Sequence, residues 1–131
     1  MSKGKILIID DDREFCQELK DFLKWNGYQV ETLNNSSQAV ERICKFHPKV
    51  VLLDLKMTPI SGFQVADRLK DIKDRADMTI IAMTAYYNEQ EHRKLMEQVG
   101  IEALVLKPIT LLSVINTIEN QLDKKVHKIT E

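Results

Sequence analysis

The chain has 131 residues, which is enough for one domain and too few for a second catalytic domain. Its 19 basic and 20 acidic residues give a net charge of -1, so no general attraction draws it to nucleic acid or to anionic lipid. No apolar stretch approaches the roughly 20 residues that cross a bilayer, and the N-terminus lacks the pattern of a signal peptide. These features predict a soluble cytoplasmic protein whose function depends on a local site.

Short aliphatic segments alternate with helical patterns along the chain. The predicted strands cover residues 5–9, 28–32, 50–53, 79–83 and 103–106. After each strand, apolar residues recur three and four positions apart, as on one face of a helix. The runs at 6–9 and 50–53 do not alternate with polar residues, which is typical of strands covered on both faces. The pattern therefore predicts a doubly wound α/β fold with a parallel sheet and right-handed crossovers.

Several helix starts carry capping signals. A polar residue stands three positions before a Glu or Gln, the spacing of a capping box, in the pairs Asn35 and Gln38, Ser61 and Gln64, and Asn88 and Glu91. Asp12 is expected to cap the first helix.

Some side chains are assigned to packing alone. Cys16 and Cys44 show no CxxC spacing, and we expect both to be buried thiols. Trp25 and Tyr28 are expected to pack against the edge of the sheet.

Four of the predicted strands end in polar residues: Asp10, Asp11 and Asp12 after the first, Asp54 after the third, Thr84 after the fourth and Lys107 after the fifth. The carboxyl ends of parallel strands share one edge of the sheet, where ligands bind in open α/β folds. Carboxylates gathered there repel one another unless a cation neutralises them, and a site of oxygen ligands suits Mg²⁺. A hydroxyl and an ammonium group beside that ion favour a phosphoryl group as the bound anion.

Four segments resemble receiver domains of two-component response regulators: IIDDD at 8–12, LLDLKM at 52–57, MTA at 83–85 and LKP at 106–108. The resemblance covers nearly the whole chain and implies a receiver domain at 1–125, with 126–131 as a polar C-terminal tail or the start of a linker. It implies a CheY-like, flavodoxin-like sheet of five strands in the order 2-1-3-4-5 with five helices. It also implies a phosphoacceptor signalling domain, which catalyses only its own phosphorylation and slow dephosphorylation.

The resemblance assigns roles to individual residues. Asp54 is similar to the phosphoacceptor, and Thr84 and Lys107 to the residues that bind the phosphoryl oxygens. The implied Mg²⁺ ligands are Asp10, Asp11, Asp54 and the backbone carbonyl of Lys56. The Lys107–Pro108 peptide bond is expected to be cis.

The same resemblance implies partners. A sensor histidine kinase or a histidine phosphotransfer protein would donate the phosphoryl group, and the surface around the fourth helix would then switch its binding to an effector or output domain. A homodimer through the fourth helix, fifth strand and fifth helix is a further expectation. Direct binding to nucleic acid or to a membrane is not expected.

Several positions depart from the family pattern. Leu104 stands where an aromatic residue is usual, so the common coupled movement of a threonine and an aromatic ring cannot operate as such. Pro59 is one place later than usual, and Ile109 replaces a phenylalanine, which we interpret as packing only. Lys56 and Tyr86 are bulky at positions that tune loss of the phosphoryl group, and we expect them to make it long lived.

Two alternatives stay open on sequence alone. A small hydrolase of the haloacid dehalogenase type would use Asp10 as nucleophile, since residues 10–12 satisfy a DxD pattern after an apolar strand. A receiver-like binding module would contact its partner whether or not Asp54 carries phosphate.

Overall fold

The computed structural model describes the backbone of residues 2–130 and the side chains of residues 2–125. The strands are β1 (Lys5–Ile9), β2 (Gln29–Leu33), β3 (Val50–Asp54), β4 (Thr79–Thr84) and β5 (Ala103–Leu106). The α-helices are α1 (Arg13–Trp25), α2 (Ala39–Phe46), α3 (Gly62–Leu69), α4 (Glu89–Val99) and α5 (Leu111–Thr130). Two 3₁₀ turns lie at Ser36–Gln38 and Arg75–Asp77. Strand and helix therefore alternate five times within the described residues, as predicted.

The five strands form one parallel sheet in the order β2-β1-β3-β4-β5. This confirms the predicted strand order and fold class. Helix α5 continues to Thr130, so the backbone of the expected tail is helical at 126–130, and Glu131 lies outside the described residues. Over residues 2–130, none of the helices combines the length and apolar character that a bilayer crossing requires.

The sheet separates two apolar cores, which explains why its central strands do not alternate. Leu7 and Ile9 of β1 pack on one face with residues of α2, α3 and α4. Ile6 and Ile8 pack on the other face with residues of α1 and α5. All four side chains are fully buried, so each strand position must be apolar whichever way it points.

The helix starts follow the predicted caps in part. Asp12 accepts the Phe15 N–H at 3.0 Å, and the complete capping box forms at Ser61 and Gln64. At Asn35 the prediction was wrong: its Oδ1 accepts from the backbone and hydroxyl of Ser37, because the chain enters α2 through a 3₁₀ turn. Asn88 caps α4 with its side chain, but its own N–H donates to His92 rather than to Glu91.

Two packing predictions were wrong. Trp25 is 89% exposed, because it lies on the face of α1 opposite the buried Leu19 and Leu23. Cys44 is exposed, because it follows the buried Ile43 on α2 and faces solvent. Tyr28 and Cys16 are buried, as expected.

Candidate functional site

The sheet brings the predicted polar residues to its carboxyl edge. Asp10 directly follows β1, Asp54 is the last residue of β3, Thr84 is the last of β4, and Lys107 directly follows β5. One carboxylate oxygen from each of Asp10, Asp11 and Asp54 lies within 4.8 Å of the other two. Residues at the carboxyl ends of β1 and β3 therefore form one acidic cluster.

The acidic cluster is largely removed from solvent. Asp10 is fully buried and Asp54 is 5% exposed, whereas Asp11 is exposed at the rim. Burial, followed by the charge of Asp10, raises the pKa of Asp54 above its ordinary value. The N–H of Lys56 and the charge of Lys107 oppose this rise without cancelling it. The ionised cluster thus carries unfavourable charge, which a bound cation would relieve.

Lys107 supplies the positive charge inside this cluster. Its Nζ lies 2.8 Å from Asp10 Oδ2 and 3.5 Å from Asp54 Oδ2. Burial alone would lower the pKa of Lys107, but the hydrogen bond to Asp10 and the charges of both aspartates raise it above its ordinary value. The same Nζ lies 5.4 Å from the centroid of the Phe15 ring, a contact that the sequence did not indicate. The Lys107–Pro108 peptide bond is cis, as expected.

Asp10 is held by several hydrogen bonds. Its Oδ1 accepts the Asp12 N–H at 3.0 Å, while its backbone carbonyl accepts from Asn34 Nδ2 at 2.8 Å and from Cys16 Sγ at 3.3 Å. Burial, with the charges of Asp10 and Asp12, raises the pKa of Cys16 to about 12. Cys16 therefore stays a neutral thiol that supports the Asp10 backbone.

The loop after Asp54 folds back over the end of β3. Lys56 N–H donates to Asp54 Oδ1 at 3.1 Å, which places the Lys56 peptide beside the acidic cluster. A Cβ on Gly62 would lie 2.5 Å from the backbone oxygen of Asp54, so only glycine allows this close approach. The Thr58–Pro59 peptide bond is cis.

Ser36 holds this loop from the neighbouring segment. Its hydroxyl donates to the Ile60 carbonyl at 2.7 Å and accepts the Ile60 N–H at 3.0 Å, and Ser36 is fully buried. Ser36 was not among the predicted site residues, because it is one of five adjacent polar residues, 34–38, whose pattern indicates only the start of a helix. Pro59, which is one place later than usual, therefore lies in a loop that hydrogen bonds hold at both ends.

Thr84 is bonded to the loop between β4 and α4. Its hydroxyl donates to the Tyr86 carbonyl at 3.0 Å and accepts the Tyr86 N–H at 3.3 Å. Its backbone carbonyl accepts the Lys107 N–H at 2.7 Å, which fixes the start of the Lys107 segment to β4. Leu104 is half-buried and packs against the same core cluster as Tyr87. Ile109 packs against the opposite core, which agrees with a packing role.

The donor set fits a hard divalent cation. The cluster offers carboxylate oxygens only, two of its members are buried, and their mutual repulsion is the cost that such an ion would remove. A parallel sheet of this order, with carboxylates and a lysine at its carboxyl edge, defines the class of α/β proteins that bind a ligand at a topological switch point.

The chain belongs to the response regulator receiver domain family. The family model for the response regulator receiver domain matches residues 6–119, which include every predicted site residue. Receiver domains are signalling domains that bind Mg²⁺ at an acidic pocket and interact with histidine kinases, phosphotransfer proteins and output domains. Membership in this family argues against the haloacid dehalogenase alternative.

Relatives and solved structures agree with this assignment. The polar-differentiation response regulator DivK of Brucella ovis is 26% identical over 117 residues, which cover 89% of this chain and 94% of that protein. A CheY-like receiver domain protein from Methanospirillum hungatei superposes with a TM-score of 0.87 at 25% identity and covers 97% of this chain and 99% of that one. The chemotaxis protein CheY4 of Vibrio cholerae shares the fold, with a TM-score of 0.84 at 21% identity over 89% of this chain and 97% of its own.

Proposed function

We propose that the protein accepts a phosphoryl group on Asp54 in a Mg²⁺-dependent reaction and thereby switches its partner-binding surface. The donor is a phosphohistidine on a sensor histidine kinase or a phosphotransfer protein. The observation that carries the proposal is the cluster of Asp10, Asp11 and Asp54 carboxylates within 4.8 Å, with Lys107 Nζ at 2.8 Å and 3.5 Å from two of them. The cytoplasmic location expected from the sequence stays a prediction.

The transfer step uses the residues at the edge of the sheet. An oxygen of the Asp54 carboxylate attacks phosphorus, a new O–P bond forms, and the P–N bond to the donor histidine breaks with its electron pair leaving on the imidazole. Lys107 lies close enough to Asp54 to pair with the negative charge that arrives there. Asp54 is therefore the nucleophile, and Lys107 stabilises the charge of the transferred group.

The proposed Mg²⁺ ligands are the carboxylates of Asp10, Asp11 and Asp54 and the backbone carbonyl of Lys56. The three carboxylates are already gathered, and the Lys56 peptide lies at the site through its N–H bond to Asp54. When bound, the ion would neutralise the acidic cluster and stabilise the oxygens of the transferring group.

The output is proposed to be a surface on α4, β5 and α5. Among the side chains of residues 2–125, each of these elements exposes one large aliphatic residue: Leu95 on α4, Leu106 on β5 and Leu112 on α5. Exposed leucines on adjacent elements are suited to contact with an effector, an output domain or a second copy of the chain. When Thr84 turns to a phosphoryl oxygen, its bonds to Tyr86 break and the edge of this surface changes.

Labelling with a small phosphodonor tests the proposal. The protein is incubated with acetyl phosphate and Mg²⁺, and the adduct is located by mass spectrometry. We expect it on Asp54, with none in the Asp54→Asn variant and no loss in Asp12→Asn, which keeps the helix cap. An adduct on Asp10 would instead support the hydrolase, and no adduct in the presence of Mg²⁺ would favour the phosphate-independent binding module.

The lifetime of the adduct is a separate proposal. Lys56 and Tyr86 are both exposed beside the site, and their bulk would hinder the attack of water on the acyl phosphate. Tyr86→Ala is expected to speed phosphate release, whereas Trp25→Ala at the far end of α1 leaves it unchanged. An unaltered rate in Tyr86→Ala would contradict this proposal.

A further inference from the structure

The imidazole of His92 lies at the centre of an aromatic cluster beside the candidate site. Its centroid is 5.8 Å from the ring of Phe63 on α3, and 5.7 Å from the rings of Tyr86 and Tyr87 in the loop between β4 and α4. The Tyr86 ring meets the imidazole edge-on, at 89°. These distances lie within the range in which aromatic rings attract each other. One residue of α4 thus contacts both the preceding loop and the neighbouring helix.

A hydrogen bond fixes the orientation of this ring. His92 Nδ1 accepts the Asn88 N–H at 3.0 Å, so the neutral ring carries its proton on Nε2. The Asn88 side chain in turn accepts the N–H groups of Gln90 and Glu91 at the start of α4. The first turn of α4, Asn88 and the imidazole are therefore one connected unit.

The candidate switch residue is tied to the same unit. Both hydrogen bonds of the Thr84 hydroxyl go to the backbone of Tyr86, and the Tyr86 ring rests against His92. A Thr84 hydroxyl that turns to bind a phosphoryl oxygen must give up both bonds. The Tyr86 backbone is then free to move, and its ring contact with His92 changes with it.

β5 offers no polar or aromatic partner for the Thr84 hydroxyl, because all four of its residues, Leu104 included, are aliphatic. A leucine has no polar group to follow a threonine hydroxyl, and Leu104 is half-buried against the core. We propose that His92 is a positioning residue that transmits the state of Thr84 to α4 and α3 through its ring contacts with Tyr86, Tyr87 and Phe63. This inference rests on the proposed function, since it describes how phosphorylation of the same site reaches the surface.

Two substitutions test the contribution of the His92 ring separately from that of its hydrogen bond. His92→Phe keeps an aromatic ring but lacks the Nδ1 acceptor, whereas His92→Asn offers an oxygen acceptor but no ring. His47→Asn is the matched control, since His47 is an exposed histidine at the end of α2. Each full-length protein is treated with acetyl phosphate and Mg²⁺, the adduct is quantified by mass spectrometry, and the amide signals of Gln90 and Glu91 are followed by NMR.

We expect equal adduct formation in all four proteins and different responses of α4. His47→Asn shows the full wild-type change in the Gln90 and Glu91 signals, His92→Phe keeps more than half of it, and His92→Asn keeps less than half. Equal responses in the two His92 variants, whether both full or both lost, would overturn the proposal. An absent adduct in the wild type would instead contradict the proposed function, so the two failures are distinguishable.

Discussion

Lys107 and Asp10 are 97 positions apart in the chain, yet Lys107 Nζ donates to Asp10 Oδ2 at 2.8 Å. The contact joins the segment after β5 to the segment after β1. In the sheet, β3 and β4 lie between these two strands. Asp10 is fully buried, so its charge has little water to stabilise it. Lys107 is therefore a counter-charge for the folded protein as well as a candidate ligand for a phosphoryl group.

Removing the lysine charge is expected to destabilise the fold. In Lys107→Met the free energy of unfolding at pH 7 should fall by about 2 kcal/mol, because Asp10 and Asp54 lose their counter-charge. The loss stays below that of a fully buried pair, since the Lys107 side chain is 26% exposed. Urea denaturation in EDTA measures it, and added Mg²⁺ should stabilise this variant more than the wild type. A fall equally large in Lys94→Met, at an exposed position on α4, would contradict this explanation.

Neutralising Asp54, the proposed phosphoacceptor, is expected to have the opposite effect. Burial and Asp10 raise the pKa of Asp54 in the folded protein, so the folded state binds a proton there more tightly than the unfolded state does. The free-energy cost of ionising Asp54 in the folded protein is absent below pH 3.8, its ordinary pKa. It grows as pH rises from that value through the raised pKa of the folded state. At pH 7, Asp54→Asn should therefore be more stable than wild type by on the order of 1 kcal/mol.

The pH dependence of that difference is its check. Urea denaturation of both proteins in EDTA should show the gain at pH 7 and no gain below about pH 4, where the wild-type carboxyl is protonated in both states. Asp67→Asn changes an exposed aspartate on α3 and serves as the control. A gain that persists undiminished at low pH would show that charge is not its cause.

A methyl group at Gly62 is expected to damage both the fold and the site. Its Cβ would lie 2.5 Å from Asp54 O and 2.8 Å from Leu55 Cα, so Gly62→Ala must displace the backbone around Asp54. We expect a loss of about 2–3 kcal/mol in the free energy of unfolding, together with slower labelling by acetyl phosphate. Gly27→Ala is the comparison: Gly27 has a φ of 98°, but its Cβ would meet only the Lys3 side chain at 3.4 Å. That variant should lose stability and keep its labelling rate, and equal labelling rates in both would refute the steric argument.

The two cysteines are expected to react at very different rates. Cys16 is buried with a pKa of about 12, so only about 10⁻⁴ of it is thiolate at pH 8, whereas Cys44 is exposed. A disulfide reagent should modify one thiol quickly in the folded protein and two in urea. Cys44→Ser should abolish the fast phase, and Cys16→Ser should leave it intact. A fast phase that survives in Cys44→Ser would mean that Cys16 is accessible.

The strands were the most predictable part of the fold. β1 and β5 have the predicted bounds, β3 and β4 are each one residue longer, and β2 is shifted by one. Their aliphatic runs are continuous because both faces of the sheet are covered, and few other structures require such runs. The prediction for Trp25 was wrong because a single aromatic residue near a helix end does not indicate which face of the helix it is on. The buried Leu19 and Leu23 define the packed face of α1, and Trp25 lies on the other face.

The acidic cluster was predictable because strand ends converge by topology alone. Its supporting contacts were not. Ser36 and Phe15 reach the site from other segments, and their roles depend on loop paths and ring positions that no spacing encodes. The same holds for His92 of α4, whose ring contacts come from α3 and from the loop between β4 and α4.

The exposed Trp25 also decides which assays can work. It is the only tryptophan in the chain and closes a helix of 13 residues whose other end lies beside Asp10 to Asp12. At 1.5 Å per residue, the indole lies about 20 Å from the acidic cluster. We therefore expect no change in Trp25 fluorescence when an ion binds there. A fluorescence titration needs a fluorophore near the carboxyl edge of the sheet, for example one introduced by Tyr86→Trp.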